Sequence, residues 1–582
     1  MAKSKRKPQK LGHDPLEGLD MAGIDQEEEE LPLEILGDDP FADMEAEGID
    51  VDEEDELFPL LTQTEMEEIG PEDTPLSLAA QEGIEITGIK TPVKTVASPP
   101  STSVLKQAIA AEIEPLVQIQ PVEPLQVGRP TDAASPGERI PTPQATFHFP
   151  AGFKWGVAAA AHQVEGNNTG NDWWAWEQQE GHIKERHKSG LACNWWENTE
   201  TDFSHAAALG VNALRLSVEW SRVEPRPGEF DDSALERYSH MLQELRARNI
   251  EPLVTLHHFT NPRWLADQGG WENPETVALF ARFTRRVVER LGQHCDMWCT
   301  INEPNVYGYM GYLEGDFPPG QSDFKTAMRV IRHLLLGHAA AYKEIHAIQP
   351  NARVGLAHNV RILDPANPRS PLDRRVARLA DRAYNQAPLT ALTTGRWMLP
   401  LGFGLAWKLR RTLDWIGLNY YTRDLVAFDS AQRQTLFSRR LHADDAELLD
   451  GGYGEFYPHG MFRSIQHLAR LNLPIYITEN GLPDDDDDQR PRYLLTHLHQ
   501  MWRAIQLCYP VMGYYHWTLT DNFEWAEGWT LRFGLIALDA ETQTRTPRPS
   551  AALYANVIQA NAITPQIIDA YAPKLRAELL PA

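Results

Sequence analysis

Eight short runs rich in Val, Ile and aromatic residues recur along residues 146–582, with longer amphipathic stretches between them. The runs are Phe153–Ala160, Val211–Val218, Pro252–His258, Asp296–Asn302, Arg353–His358, Leu413–Tyr421, Pro474–Glu479 and Val511–Trp517. Apolar runs bounded by turn residues read as buried parallel strands. Helical patterns at Ser233–Arg248, Pro274–Leu291, Lys325–Ile348 and Pro491–Leu507 lie between them, and Ser550–Ala560 follows the eighth run. Eight such alternations predict an α/β fold, a single closed (β/α)8 barrel, which 437 residues accommodate with long loops. An open doubly wound sheet is the alternative. No Gly-x-Gly-x-x-Gly follows the first run, so dinucleotide binding has no support.

Residues 1–145 are a different kind of chain. They hold 10 basic and 32 acidic side chains, net −22 against −6 for the remainder. They carry 17 of the 42 prolines but only two aromatics, Phe41 and Phe58. Such a segment cannot bury enough apolar surface to offset its chain entropy. The expectation is therefore a disordered, acidic, Pro-rich extension over 1–145, followed by the barrel domain at 146–582. Apolar islands such as Leu31–Leu36 and Leu57–Leu61 would be the docking points of an unknown protein partner; a solvated leader is the plainer reading. The basic start Met1–Pro8 is not followed by the apolar run of a secretory signal, so a cytoplasmic protein is expected. No stretch approaches the roughly 20 apolar residues of a membrane span, which argues against integral membrane association. A net charge of −28 disfavours nucleic acid, and four cysteines exclude a disulfide scaffold.

A barrel places its chemistry where the strands end. The fourth run ends in Thr300-Ile-Asn-Glu-Pro-Asn305 and the seventh in Tyr476-Ile-Thr-Glu-Asn-Gly481, so each sets a Glu at its carboxyl end. Around them come Arg215 in the second run, His257-His258 at the end of the third, and Asn419-Tyr420-Tyr421 at the end of the sixth. The eighth closes with His516-Trp517, then Asp521-Asn-Phe-Glu-Trp525. Two facing carboxyl groups among Trp, Asn, Gln and His suit glycoside cleavage. One acid protonates a poor alkoxide leaving group while the other attacks or stabilises an oxocarbenium-like sugar.

These segments resemble glycoside hydrolase family 1, the β-glucosidase and β-galactosidase family. The resemblance rests on Phe149–Gly166, Thr300-Ile-Asn-Glu-Pro304, Ile477-Thr-Glu-Asn-Gly481, Trp517–Ala526 and Arg532-Phe-Gly534, in that order. It implies that Glu303 is the general acid/base and Glu479 the nucleophile of a retaining double displacement, with Arg215 and Tyr421 touching Glu479. It implies that Asn302 reads the sugar 2-hydroxyl and that Gln163, His258, Trp517, Glu524 and Trp525 shape the glycone pocket. Asn419 and Phe533 join the substrate-binding set. A small-molecule β-glycoside is the expected partner, with a terminal non-reducing β-D-glucosyl, galactosyl or fucosyl residue. No cofactor is implied, and no metal.

Some positions depart from the family pattern. His258-Phe259 stands where His-Trp is usual, Thr260 where Asp is frequent, and Ala159 and His162 where Thr and Tyr are usual. Glu524 favours an unphosphorylated sugar, because a carboxylate there would repel a phosphate. Two other activities compete with hydrolysis: a transglycosylase or galactosyltransferase using the same carboxylates, and a non-catalytic sugar-binding or scaffold protein. The remaining candidates read as structure. His257 and His258 face opposite sides of a strand and cannot jointly chelate. Cys295 and Cys299 are too far apart along a strand for a disulfide. Asp484–Asp488 reads as a solvated acidic loop. Trp173, Trp174, Trp176, Trp195 and Trp196 read equally well as sugar platforms or as outer packing.

Overall fold

The computed structural model describes residues 145–580. The expected acidic extension and its docking islands lie outside the described residues. The described chain opens with β1 (Phe147–His148) and then enters a barrel through β2 (Lys154–Ala158), β3 (Ala213–Ser217), β4 (Glu251–His257), β5 (Met297–Asn302) and β6 (Arg353–Asn359). It leaves the barrel in β7 (Ile362–Pro365), returns in β8 (Trp415–Asn419), and leaves again in β9 (Arg423–Phe428) and β10 (Ser438–Leu441). β11 (Ile475–Asn480) and β12 (Val511–His516) complete the ring. A hairpin, β13 (Ile536–Leu538) and β14 (Arg545–Pro547), and then β15 (Ala562–Ile563) follow.

The eight barrel strands are parallel and close in the order β2-β3-β4-β5-β6-β8-β11-β12. β12 returns to β2 with Tyr514 opposite Trp155 and His516 opposite Val157. Each coincides with one of the eight apolar runs, to within one or two residues at most ends. Every residue of β3, β5, β8 and β11 is buried. Interior side chains fill the barrel and outward ones meet the helical ring, so the strands lack the polar alternation of a half-exposed sheet.

The helices follow the predicted spans closely, at Asp232–Ala247, Thr276–Leu291, Phe324–Ile348, Arg490–Gln506 and Pro549–Ala560. Two have carboxylate caps. Asp231 accepts from the N–H groups of Ser233 and Ala234, and Asp323 from that of Thr326. In Asp232–Ala247 the buried Leu235, Tyr238, Met241, Leu242 and Leu245 recur at three- and four-residue spacing, the stripe that faces the barrel.

Outside the ring the chain builds a three-stranded sheet, β10-β9-β7, from the segments that follow β6 and β8. Its strands are four to six residues long and mix Arg and Asp with aliphatics. β1 and β15 pair antiparallel, tying the start of the domain to its end. Among the described residues no helix is long and apolar enough to cross a membrane.

Candidate active site

The carboxyl ends of the barrel strands surround a cavity of about 420 Å³. Its lining includes Glu303, Glu479, Glu524, His258, Tyr421, Trp517 and Trp525. Seven of the predicted site residues therefore face one space, of a size that holds a small ligand. The other five, Arg215, Gln163, Asn302, Asn419 and Phe533, stand behind these walls.

Glu303 follows β5 directly, at a left-handed φ of 46°, and caps the helix Pro304–Tyr309. Phe259 (φ 71°) and Trp525 (φ 49°) share that rare backbone region. Strained residues of this kind persist where surrounding packing holds a functional geometry. Glu479 lies within β11. Two residues on, Gly481 lets the chain pass under the Trp517 backbone: a Cβ there would sit 1.8 Å from the Trp517 carbonyl oxygen.

Both carboxyl groups are deeply buried, at 5% and 3% exposure, but their partners differ. Glu479 forms an ion pair with Arg215, and its Oε2 accepts from the Tyr421 hydroxyl at 2.7 Å. Arg215 is itself fixed by Thr255 Oγ1 at 3.0 Å and Asn302 Oδ1 at 2.6 Å. Among the described residues Glu303 meets only neutral donors at hydrogen-bond distance. Asn419 Nδ2 and Asn359 Nδ2 both donate to its Oε1, at 2.8 and 2.9 Å. Burial and the Glu479 charge push the Glu303 carboxyl up to about 8. Burial raises Glu479 as well, but there Arg215, the Tyr421 phenol and Asn419 all work against it.

A third carboxyl shares the space. Gln163 Nε2 donates to Glu524 Oε2 at 3.0 Å. Burial and the Glu479 charge raise Glu524 to about 8, opposed by the bonds from Gln163 and Trp517. His258 accepts from Asn302 Nδ2 at 3.1 Å through Nε2 and lies parallel to both Trp517 and Trp525, 6.0 Å from each. Burial and then Arg215 hold it well below the ordinary imidazole range, so it is neutral.

The departures from the family pattern are accommodated by packing. Phe259 lines the cavity and packs on Trp525 at 5.3 Å and Phe317 at 5.6 Å. His162 stacks on Trp525 at 6.0 Å, and burial lowers it to about 3. Thr260 donates to the buried Glu219 at 2.9 Å.

Other candidates fall as structure. His257 turns away from the cavity to Asn261 and Trp271. Cys295 and Cys299 are separate buried thiols. Trp173 is fully buried against Phe317 and Trp525, Trp176 stacks on His182, and Trp195 donates to Asp202. Trp196 lies under the Arg222 guanidinium. None of these tryptophans, nor Trp174, lines the cavity.

Several lining residues were not foreseen. Asn359 lies one residue beyond the apolar run that ends at His358; its Oδ1 accepts from the Tyr384 hydroxyl at 2.9 Å. Arg361, Glu314, Asp316, Arg440 and Glu527 form a charged rim, with Arg361 paired to Asp424 and Arg440 to Glu314. Met310–Glu314 is one turn of π-helix that brings Met310 and Glu314 to the rim. No motif marked these loop positions.

A (β/α)8 barrel with two buried carboxyls at its carboxyl-terminal face, one beside a cation and one held neutral, defines an enzyme of the glycoside-cleaving class. The Glycosyl hydrolase family 1 model matches residues 145–563, and the chain belongs to that family of O-glycosyl hydrolases. Among curated relatives, a 1,4-β-D-glucan glucohydrolase of Thermotoga neapolitana is 32% identical, over 72% of this chain and 99% of the relative. A β-galactosidase of Pyrococcus woesei is 31% identical, over 72% and 98%. The solved β-glycosidase of Pyrococcus horikoshii superposes with a TM-score of 0.68 at 34% identity, covering 73% of this chain and 98% of that one.

Proposed function

We propose that the protein is a retaining β-glycosidase that hydrolyses terminal non-reducing β-D-glucosyl, galactosyl or fucosyl residues of small, unphosphorylated glycosides. The observation that carries the reading is the unequal company of two carboxyls lining one cavity. Glu479, beside Arg215 and Tyr421, is the group that ionises and attacks the anomeric carbon. Glu303, without a contacting cation, keeps its proton for the glycosidic oxygen. Its Oε1 is occupied by two amide donors, which leaves Oε2 to carry that proton. A retaining pair of this kind stands about 5–5.5 Å apart.

Attack converts Glu479 to a neutral glycosyl ester. The charge that raised Glu303 is then gone, its acidity rises, and it becomes the base that takes a proton from water in the second step. Asn302, held between Arg215 and His258 just behind the lining, is the residue that the family resemblance assigns to the 2-hydroxyl. Gln163 Oε1 and His258 Nδ1 are buried without a protein partner, as suits groups that bond a ligand. Glu524 and Trp517 take the far hydroxyls, and Trp525 stacks on the apolar face of the ring. The names of relatives from Thermotoga and Pyrococcus support glucosides and galactosides as substrates.

In this reading 146–582 is the working domain and 1–145 an appendage to it. A cytoplasmic setting fits the four unpaired cysteines. The test is p-nitrophenol release by the full chain from a panel of aryl β-glycosides. Turnover of the glucoside, galactoside or fucoside is expected; sugar binding without turnover would favour a scaffold. Product analysis with added sugar acceptor separates hydrolysis, which gives free monosaccharide, from transglycosylation.

A further inference from the structure

The run Asp484–Asp488 connects β11 to the helix Arg490–Gln506; Asp484 and Asp487 are buried, and Asp485, Asp486 and Asp488 are exposed. Asp485 pairs with Arg548, and Asp487 with Arg490 and with Ser550, whose N–H and hydroxyl it accepts at 2.7 and 2.6 Å. Asp487 is thereby buried against the protein, while Asp485 stays exposed beside Arg548. Asp484, Asp486 and Asp488 face one another instead, each with a carboxylate oxygen within 4.8 Å of the other two. Asp487 sits at a φ of 66°, a left-handed turn inside the run. The sequence alone suggested a solvated loop; the fold makes its alternate oxygens converge.

A second observation points to a ligand there. Asp484 is fully buried. Its Oδ2 accepts from the N–H groups of Gln489 and Arg490 at 3.1 and 2.6 Å, whereas its Oδ1 is buried with no partner among the described residues. A buried, unpartnered oxygen on an acid is costly unless something outside the chain meets it. Of the cations nearby, Arg490 and Arg492 each have an acid partner of their own. Arg490 Nη1 is taken by Asp487 and lies 4.0 Å from Asp484, and Arg490 Nη2 donates to the backbone oxygens of Asp484 and Arg532. Arg492 pairs with Glu447. Asp486 and Asp488 form no ion pair among the described residues. Asp450 adds a fourth carboxylate, accepting from the Asp485 N–H at 3.3 Å.

We propose that Asp484, Asp486 and Asp488 form a calcium site. Donors at i, i+2 and i+4 of one loop are how a calcium-binding loop begins, and a hard divalent cation with a flexible oxygen shell suits two exposed carboxylates and one buried one. Water completes the shell. Bound Ca²⁺ would offset the crowded charge and meet the unpartnered Asp484. It would also fasten the loop between the Glu479 strand and the segment at Arg532, whose carbonyl accepts from the Asp484 N–H at 2.9 Å.

The test is calorimetric unfolding of the full chain in EDTA and in 10 mM CaCl₂, for the parent and for Asp486→Asn/Asp488→Asn. Both substitutions are isosteric and exposed, and aryl-glycoside turnover checks that the variant folds. For a site saturated about 100-fold over its Kd, Ca²⁺ should raise the parent Tm by about 3 °C. The variant should show no such shift, and in EDTA it should melt at or above the parent. Weak binding by the acidic residues 1–145 is common to both proteins and cancels in the comparison. A parent Tm indifferent to CaCl₂, an equal shift in both proteins, or the same shift with MgCl₂ would overturn the assignment.

Discussion

At the mouth of β5 a carboxyl is reached by two asparagine amides; at the mouth of β11 a carboxyl equally deep is reached by an arginine and a phenol. Burial alone would raise both and make them interchangeable. What separates them is the guanidinium that contacts Glu479, placed by β3 and held by Thr255 and Asn302, with the Tyr421 phenol beside it. One chemical group, repeated on two strands, thus acquires opposite duties from its neighbours. Because the Glu479 charge is one cause of the raised Glu303, the two duties are also coupled.

The largest break in that contrast is Glu479→Gly. It should lower kcat by roughly 10⁴-fold or more on every substrate, since no other group can form the ester. Azide or formate, entering the vacated space, should restore part of the rate. Glu303→Ala comes next and should discriminate. The loss should be about 10²–10⁴-fold for glycosides with poor leaving groups and far smaller for dinitrophenyl glycosides, which need no proton. Equal losses on both would contradict the acid role.

Arg215→Met removes the source of the asymmetry. It leaves a buried carboxylate uncompensated, which costs about 3–5 kcal/mol of stability by denaturant titration. It should also shift the acidic limb of kcat/KM upward, because Glu479 then ionises less readily. In the parent enzyme the alkaline limb should lie near pH 8, where Glu303 loses its proton. The stability effect has the same origin. Glu303 binds its proton more tightly folded than unfolded, so its favourable contribution is complete below the ordinary carboxyl range and is lost as pH rises toward 8. Glu303→Gln should therefore raise Tm more at pH 8 than at pH 5. The smallest effect is expected at the rim: Arg440→Ala should change KM for bulky aglycones by less than about tenfold and leave kcat for nitrophenyl glycosides unaltered.

The deep end of the site was legible in the chain because its groups sit on strands whose spacing is rigid. A carboxylate that ends a barrel strand has nowhere to go but the cavity, so Glu303, Glu479, His258 and Trp517 could be placed from the runs that carry them. Arg215 and Asn302 were legible for the same reason, although they serve as supports behind the wall. The rim was not legible. Arg361 and Arg440 arrive with the β7-β9-β10 sheet, Asp316 just after a π-turn and Glu527 on a 3-10 turn after β12, and none of these leaves a periodic pattern. The Asp484–Asp488 run shows the limit from the other side: five identical residues gave no hint that Asp484 and Asp487 would be buried and the other three exposed, because that depends on the path of the loop.

The central claim is that Glu479 attacks the sugar while Glu303 gives the proton. An aryl 2-deoxy-2-fluoro-β-glycoside tests it most directly. Fluorine at C2 slows both displacements, while a dinitrophenyl leaving group keeps the first fast enough to accumulate the ester. Peptide mapping of the inactivated full chain should find one glycosyl group, on the peptide containing Thr478-Glu479-Asn480 and attached to Glu479. A label on Glu303 or Glu524, or turnover with no covalent adduct, would contradict the account.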